Sequence, residues 1–347
     1  MQFSNTLIYW YLQNKRDLPW RKTKNPYLIW LSEIILQQTR IDQGLDYYLK
    51  FSEHYPTVYD LANAQEETIL KLWQGLGYYS RARNLHFSAR YIVNELNGNF
   101  PKTYTELLKL KGVGDYTASA IASICYNEPT AVVDGNVYRV LARYFGIETP
   151  INSTKGIKEF KKLAQNLIAI KDPGDYNQAI MEFGAKQCKP QNPNCIECPL
   201  NTSCKALQQK SIDILPIKVN KIKIKHRYFN YLVINNDETL LQQRKSKGIW
   251  QNLYEFPLIE STNNLTIKEL IQSEQFDSIF NGAKTRVKLH NQKPIIHKLS
   301  HQHLYTNFWI IESSKSFDNS ISWNDFDKYP VPTLIHNFVS EFKSDEY

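Results

Sequence analysis

The chain has 347 residues, enough for two domains that each bury their own core. Hydrophobic residues make up 42% and charged residues 22%, a globular composition that excludes a disordered or collagenous chain. No apolar run is long enough to cross a bilayer, and the N-terminal segment predicts an amphipathic helix rather than a secretion signal. We therefore expect a cytoplasmic protein with no membrane partner. The formal net charge of +8 suits a polyanionic partner without demanding one.

Residues 1–207 read as short helices joined by polar turns. Asn25 and Pro26 predict a helix start, with an N-cap side chain and a proline in the first turn. The segments with helical spacing of apolar residues are PYLIWLSEIILQQT, LANAQEETILKLWQGL, SRARNLHFSARYIVNEL, TYTELLKL, YTASAIASICY and NVYRVLARYFG. The first part of the chain is therefore predicted to be all-α.

The character of the sequence changes near Ile212. Residues 208–227 are rich in lysine and predict an extended basic linker. Beyond it, YFNYLVIN, ETLLQQR and HLYTNFWIIES are typical of strands, and KELIQSEQF of a helix. Residues 228–347 are therefore predicted to form a small α+β domain.

Four of the five cysteines lie close together in a C-x6-C-x2-C-x5-C pattern: Cys188, Cys195, Cys198 and Cys204. Four thiolates in so short a segment can hold one metal ion or one 4Fe–4S cluster. Structural zinc usually shows two short cysteine pairs, and this pattern has one, Cys195 with Cys198. A chain without a secretion signal argues against disulfides. The pattern favours the cluster, with zinc as the alternative.

Two glycines precede a predicted helix, a pattern that alone often marks only a tight turn, and an aspartate follows them. Gly112 and Gly114 lie between two predicted helices, where they let the backbone approach a phosphate at a helix N-terminus. Asp134 follows some 20 residues later in VVDGNVYRVL. A fixed carboxylate there would stabilise the positive charge that builds on a sugar when its N-glycosidic bond breaks. The plain structural alternative is that Asp134 caps the helix that follows.

A second carboxylate, Glu33, is predicted on a helix next to Ile29, Trp30 and Ile34. Apolar surroundings raise the pKa of a carboxyl group, which then holds a proton near neutral pH. Such a group could protonate a departing base. The alternative is an exposed glutamate at the edge of the helix.

These motifs resemble the MutY-type adenine DNA glycosylases of the helix–hairpin–helix (endonuclease III) superfamily. The matching segments, in that family's order, are LPWR, LSEIILQQT, GLGYYSRARNL, GVGDYT, VDGNVYRVLAR, NQAIMEFGA and the cysteine segment. The resemblance implies an all-α helix–hairpin–helix glycosylase domain at 1–207 with a 4Fe–4S loop at 188–204. It also implies a basic linker at 208–227 and an α+β Nudix-like lesion-recognition domain at 228–347.

The resemblance also assigns roles to residues. Glu33 would protonate N7 of adenine, and Asp134 would stabilise or transiently capture the sugar cation. Tyr116 stands where lyase-competent relatives have a lysine, and its phenol, expected near Asp134, cannot form a Schiff base. The resemblance further implies an adenine pocket formed by Trp20, Arg21, Asn136 and Glu182. It implies contacts with DNA at Gln38, Tyr78, Gly112 and Gly114. Of these, Gln38 and Tyr78 would insert into the duplex while the adenosine is flipped out.

The C-terminal domain is predicted to read the lesion and not to hydrolyse nucleotides. A Nudix hydrolase holds magnesium with an R-E-x-x-E-E helix, and ESTNNLTIKELIQSEQF contains no such cluster. The family's Phe-Ser-His loop is matched here by Ser300 and His301, with Leu299 in place of the phenylalanine. His297 and His303 compete with His301 for the role.

The predicted function is excision of adenine opposite 8-oxoguanine, and more weakly opposite guanine, by a monomeric, nucleoid-associated bacterial enzyme whose partner is double-stranded DNA. An endonuclease III-like glycosylase/lyase would need a lysine at Tyr116 and would lack Glu33. An inactive DNA-binding protein is disfavoured because both carboxylates are present. A nucleotide pyrophosphohydrolase is disfavoured by the missing magnesium motif.

Overall fold

The computed structural model describes residues 2–219 and 223–345. Residues 220–222, which fall within the predicted linker, lie outside the described residues. The chain divides into two compact units. The first unit comprises Met1–Asn63 and Asn84–Asn220, and the second comprises Ala64–Arg83 and Lys221–Tyr347. Across the described residues, no helix combines the length and apolar character needed to cross a membrane.

The part of the chain before residue 210 is helical, as predicted. Its α-helices are α1 (Gln2–Asn14), α2 (Pro26–Leu36), α3 (Ile41–His54), α4 (Val58–Asn63), α5 (Glu66–Leu72), α6 (Ser80–Leu96), α7 (Tyr104–Leu107), α8 (Asp115–Tyr126), α9 (Gly135–Phe145), α10 (Thr154–Leu167), α11 (Pro173–Lys186) and α12 (Lys205–Gln208). Short 3-10 turns lie at Pro19–Arg21 and Asn201–Ser203.

Local signals explain where several of these helices begin and end. The Asn25 side chain accepts a hydrogen bond from the Tyr27 N–H, and Pro26 is the first residue of α2, as predicted. Helix α9 begins after Asp134 and ends at Gly146, whose φ of 65° is the left-handed conformation that glycine adopts readily. Helix α11 packs against α1, α8 and α9.

Some predicted helix boundaries were wrong. LANAQEETILKLWQGL was predicted as one helix, and it forms two, α4 and α5, separated by residues 64–65. The reason is local, because the polar Gln65 adopts an extended conformation and serves as the N-cap of α5. Helices α3 and α10 were not predicted at all, although both carry amphipathic patterns.

The second unit is α+β, as predicted. Its strands are β1 (Lys225–Ile234), β2 (Glu238–Leu240), β3 (Gln242–Gln243), β4 (Tyr254–Glu255), β5 (Leu258–Ser261), β6 (Thr285–Leu289), β7 (Ile295–Lys298), β8 (Gln302–Ser313) and β9 (Ser320–Ser322). Its later helices are α13 (Ile267–Ile271), α14 (Glu274–Phe280) and α15 (Thr333–Asp345). KELIQSEQF thus spans two helices where one was predicted.

The main sheet is mixed and has the order β5-β1-β8-β6, with β7 also pairing with β8. Strands β1 and β8 run parallel along their length, from Lys225 opposite Gln302 to Ile234 opposite Ile311. The central parts of both strands are buried on both faces, because both faces are covered. On one face Trp309 packs with Phe276 of α14, and on the other Phe308 stacks on Phe338 of α15 with ring centroids 3.8 Å apart.

Residues 64–83 group with the second unit, although the predicted boundaries placed them in the first domain. The Arg83 guanidinium donates to the backbone oxygen of Gln251 at 2.7 Å, and the Lys71 ammonium donates to that of Tyr329 at 3.2 Å. Helix α6 therefore begins in the second unit and continues in the first.

Candidate active site

Glu33 lies on α2 among buried apolar side chains, as its sequence position predicted. Ile29, Trp30 and Ile34 are almost fully buried. Burial raises the pKa of Glu33 to about 7, even though a hydrogen bond with the Tyr116 phenol favours the carboxylate. The nearby charge of Asp134 contributes to the same rise. At neutral pH, Glu33 can therefore both hold and release a proton.

Tyr116 lies in the first turn of α8, directly after the glycine hairpin. Its hydroxyl donates to the Met181 sulfur at 3.1 Å and forms a hydrogen bond with Glu33. Burial raises the pKa of Tyr116, as do the charges of Glu33 and Asp134. The sequence placed this phenol beside Asp134. Its hydrogen-bond partners are Glu33 and Met181, and Asp134 is near enough for its charge to act on the phenol.

Asp134 is the N-cap of α9, as the plain structural alternative predicted. One carboxylate oxygen accepts from the Val137 N–H at 2.8 Å, and the other accepts from the Asn136 amide at 2.9 Å. Burial raises the pKa of Asp134, and these hydrogen bonds and the charge of Arg139 oppose the change. Capping fixes the carboxylate in place, which is also what electrostatic stabilisation of a sugar cation needs.

Gly112 and Gly114, the two glycines of the hairpin, differ in backbone conformation and in the space around them. Gly112 has a φ of 84°, and a Cβ there would lie 2.9 Å from Cβ of Asn84. Gly114 is the N-cap of α8, and a Cβ there would meet nothing within 4 Å, so the space in front of the helix N-terminus is open. The Gln37 amide donates to the Gly112 oxygen at 3.4 Å and to the Thr117 hydroxyl at 3.2 Å, which links α2 to the hairpin.

The four residues predicted for an adenine pocket all contact other side chains of the protein. Glu182 is 1% exposed and forms ion pairs with Arg16 at 2.6 Å and Arg21 at 2.7 Å. Burial alone would raise the pKa of Glu182, but the hydrogen bonds from Arg16 and Arg21 lower it to about 2. Sequence reasoning missed Arg16. The available signal was Glu182 itself, because a glutamate in a buried helix face requires a cationic partner.

Trp20 and Asn136 complete this set. The Trp20 ring packs edge-on against Tyr48, with centroids 5.0 Å apart. Asn136 lies between the Asp134 carboxylate and the Arg139 guanidinium, which donates to the Asn136 side-chain oxygen at 2.8 Å. A cavity of about 310 Å³ lies beside Trp20 and Arg21. Among the described residues, its lining does not include Glu33, Asp134, Asn136 or Glu182.

The two residues predicted to insert into DNA share an unusual backbone conformation. Gln38 has a φ of 54° and Tyr78 a φ of 49°, the left-handed region that non-glycine residues rarely occupy. Such residues cost about 1–3 kcal/mol each and cluster at functional sites. Tyr78 is 47% exposed and Gln38 is also exposed. Gln38 is therefore accessible to a ligand on the first unit, and Tyr78 is accessible to a ligand on the second unit.

A cavity of about 730 Å³ lies within the second unit and brings Tyr78 together with the predicted lesion-reading loop. The Tyr78 hydroxyl and the Ser300 hydroxyl are 2.6 Å apart. Ser300 and His301 form the turn between β7 and β8, and both line this cavity, as does Leu299. Neither His297 nor His303 is among the described residues that line it. His297 faces the Trp250 ring and His303 faces His226.

The cysteine segment is organised by buried arginines that sequence reasoning missed. Arg143, from α9, is 2% exposed and donates to the Cys188 sulfur at 3.6 Å and to the backbone oxygens of Lys189 and Pro190 at 2.7 and 3.0 Å. Arg139 donates to the Cys188 backbone oxygen at 2.7 Å. The link from Asp134 through Asn136 and Arg139 to Cys188 is thus continuous.

The four thiols are free and half-buried. Burial and, to a smaller extent, the charges of the other three cysteines raise the pKa of Cys198 to about 11, so the four sulfurs lie close to one another. Within residues 2–219 and 223–345, no group of three or more histidine, cysteine, aspartate or glutamate side chains is arranged to hold a single metal ion. Four free thiols in one segment, with a guanidinium facing one sulfur, fit a thiolate-ligated cluster chemically.

Comparison with known proteins defines the class. The family described as HhH-GPD superfamily base excision DNA repair protein matches residues 31–166, and the NUDIX domain family matches residues 230–341. A thermostable thymine-DNA glycosylase structure is 31% identical with a TM-score of 0.56, covering 60% of this chain and 95% of that chain. A non-covalent endonuclease III–DNA complex, 23% identical with a TM-score of 0.53, covers 60% of this chain and 95% of that chain and shows the same fold. The protein is a helix–hairpin–helix DNA glycosylase with a Nudix-like domain.

Full-length relatives narrow this class to one family. The adenine DNA glycosylase of Buchnera aphidicola subsp. Baizongia pistaciae is 34% identical over 351 residues, which cover 98% of this chain and 97% of that protein. The adenine DNA glycosylase of Homo sapiens is 46% identical over 216 residues, which cover 60% of this chain and 40% of that protein. The chain belongs to the adenine DNA glycosylase family. The predicted family, architecture and enzyme class are confirmed.

Proposed function

We propose that this enzyme excises adenine from double-stranded DNA where adenine is mispaired with 8-oxoguanine and, more weakly, with guanine. The observation that carries the proposal is Glu33, whose pKa of about 7 suits a general acid at neutral pH and which lies next to Tyr116 and within the field of Asp134. The names of the full-length relatives support adenine as the base.

In the proposed mechanism, Glu33 transfers its proton to N7 of the flipped adenine. The C1′–N9 bond breaks, and its electron pair moves into the protonated base. Asp134 stabilises the resulting sugar cation, as a fixed anion or by transient covalent capture, before water attacks C1′. Tyr116 provides no amine, so no Schiff base forms and the enzyme is monofunctional.

Further residues would position the DNA. Gly112 and Gly114 would hold a backbone phosphate at the N-terminus of α8, where a Cβ at Gly114 would find open space. Gln38 and Tyr78 would enter the duplex as adenosine leaves it. Trp20, Arg21, Asn136 and Glu182 would surround the base, and the Arg16 and Arg21 ion pairs with Glu182 would keep that wall rigid.

Cys188, Cys195, Cys198 and Cys204 would hold a 4Fe–4S cluster. When bound, the cluster would anchor the loop of residues 188–204. Lysines on and beside that loop, Lys186, Lys189 and Lys205, could then meet phosphates. Arg139 would connect the same loop to Asn136 and Asp134.

Ser300 and His301 would read the oxidised base. 8-Oxoguanine differs from guanine by a carbonyl at C8 and an N7–H donor, and a hydroxyl with an imidazole can supply both a donor and an acceptor. The contact between Tyr78 and Ser300 supports this role, because the residue proposed to enter the duplex touches the proposed reader. We also propose that the enzyme is monomeric and works at the bacterial nucleoid. Its glycosylase domain would span residues 1–207, its basic linker 208–227 and its Nudix-like domain 228–347, with residues 64–83 packing in the second unit.

The test is single-turnover excision from four duplexes: A opposite 8-oxoguanine, A opposite G, A opposite T, and T opposite G. We expect excision from the first two, in that order of rate. Glu33→Gln should bind the first duplex but lose at least about 10²–10⁴-fold in rate, because the amide cannot donate the proton. Near-normal cleavage by Glu33→Gln would refute the assignment of the acid. Excision of thymine opposite G would instead favour a thymine-DNA glycosylase activity, which is the activity named for the structural relative that is 31% identical.

A further inference from the structure

The Tyr116 hydroxyl carries one proton and has two acceptors. Its oxygen lies 3.1 Å from the Met181 sulfur and also forms a hydrogen bond with Glu33. A phenol has a single O–H and donates one strong hydrogen bond at a time. The proton can therefore point to the thioether or to the carboxyl group, but not to both.

The protonation state of Glu33 decides between these two arrangements. A carboxylate only accepts, so the phenol must donate to it. A carboxylic acid can donate its own proton to the phenol oxygen, and the phenol proton then needs another acceptor. In this part-buried site, a hydroxyl that faces away from water without a partner carries a desolvation penalty. Met181 offers an acceptor at hydrogen-bond distance.

We propose that Met181 is a positioning residue for this glycosylase: its thioether accepts the Tyr116 proton while Glu33 is protonated and gives it up when Glu33 becomes a carboxylate. The proposal rests on the proposed function, because it takes Glu33 as the general acid. No proton is transferred between residues in this step. Glu33 redirects its own proton from the phenol oxygen to N7 of adenine, and the phenol O–H then rotates toward the carboxylate that forms.

The place of Met181 in the fold supports this role. It lies on α11 between the fully buried Ile180 and Glu182. The ion pairs of Glu182 with Arg16 and Arg21 hold this turn of α11 in place. A thioether is a weak acceptor. It can satisfy the phenol without competing with a carboxylate, so the hydroxyl turns to Glu33 as soon as the carboxylate forms.

Other titratable groups face Glu33 from the helices around it. Asp134, before α9, raises the pKa of Glu33, and the charge of Glu33 in turn raises the pKa of Cys125 on α8. Glu182, next to Met181, is neutralised by two arginines. A substitution at Met181 leaves the charges of all these groups unchanged, so a change in the pH profile would report on the phenol.

The test is the pH dependence of single-turnover excision by the full chain with Met181→Leu, a swap that conserves volume. Leucine offers no acceptor, so the protonated state of Glu33 becomes less favourable and the pKa of Glu33 falls. We expect the basic limb of the profile to move about one pH unit toward acid. A fall of one in a pKa reduces the protonated fraction about tenfold above that pKa. The rate should thus drop up to about tenfold at pH 8 and less than about twofold at pH 5.5.

Two further variants separate this role from ordinary packing. Met181→Gln restores an acceptor and should return the basic limb toward that of wild type. In the Tyr116→Phe background there is no phenol proton to place, so adding Met181→Leu should not move the limb. Thermal melting of each variant shows that the protein is folded at the pH of the assay.

The outcomes are distinguishable. An unchanged limb in Met181→Leu, or the same displacement with and without Tyr116, would overturn the role of Met181. If Glu33→Gln cleaved like wild type, the proposed function would fail at its general acid. If Glu33→Gln were inactive while Met181→Leu kept the wild-type profile, only the inference about Met181 would fail.

Discussion

Replacing Glu33 by glutamine should make the folded protein more stable than wild type at pH 8, and should leave the stability at pH 5 close to that of wild type. Burial raises the pKa of Glu33 from 4.5 to about 7. Between these values the folded chain binds a proton that the unfolded chain does not. The free energy of unfolding of wild type therefore falls as pH rises through this window. Glutamine does not titrate, so the variant escapes this loss.

The size of the effect follows from the same two values. Each pKa unit corresponds to about 1.36 kcal/mol, so a pKa raised from 4.5 to about 7 costs wild type about 3 kcal/mol once the pH exceeds 7. Below pH 4.5 the cost disappears, because Glu33 is neutral in both states. Asp134, whose pKa is also raised, is present in both proteins, and its contribution largely cancels. For a domain of roughly 150–250 residues, 1 kcal/mol moves Tm by about 2–4 °C, which gives roughly 6–12 °C at pH 8.

The assay is thermal melting followed by circular dichroism in matched buffers at pH 5 and pH 8. Wild type and Glu33→Gln are compared with Glu53→Gln, which removes an exposed carboxylate from α3 and controls for the loss of one charge. The Tm difference between wild type and Glu33→Gln should grow with pH, and that of Glu53→Gln should not. A difference of equal size at both pH values would show that Glu33 ionises normally, and the argument for a general acid would lose its physical basis.

Three further predictions concern other parts of the molecule. His301→Ala or Ser300→Ala should reduce the preference for A opposite 8-oxoguanine over A opposite G by about 1–3 kcal/mol without abolishing excision, and an unchanged rate ratio in both would place lesion reading elsewhere. Cys198→Ser should weaken stability and DNA binding more than the chemical step, and stoichiometric zinc without iron in purified wild type would contradict the cluster. Tyr116→Lys should gain a borohydride-trappable adduct and some strand nicking, whereas strand nicking by wild type without alkali would favour a bifunctional enzyme.

The features predicted correctly from sequence have local causes. Asn25 and Pro26 define a helix start within three residues. The burial of Glu33 followed from the helical spacing of its apolar neighbours. Each of these can be read in a short window, because the deciding atoms lie within one or two turns of chain.

The features that were missed depend on contacts between distant residues. Arg16 and Glu182 are 166 positions apart, and Tyr78 and Ser300 are 222 apart. No local pattern shows that Met181 faces Tyr116. The hydrogen-bond partners of a buried polar group are set by how helices pack, and packing is decided by the whole chain.

The chain path through residues 64–83 limits how this enzyme can be engineered. Because this segment belongs to the second unit, an exchange of the second unit with that of a relative would need three junctions in each chain, not one. A chimera joined only near residue 220 would combine Arg83 and Lys71 of one parent with a foreign surface, and would lose the bonds to Gln251 and Tyr329 unless the other parent supplied equivalent acceptors. The same path means that a deletion after residue 225 strips the packing partners from residues 64–83 as well. Loss of activity in such a fragment would report damage around Tyr78 as much as loss of the Nudix-like domain.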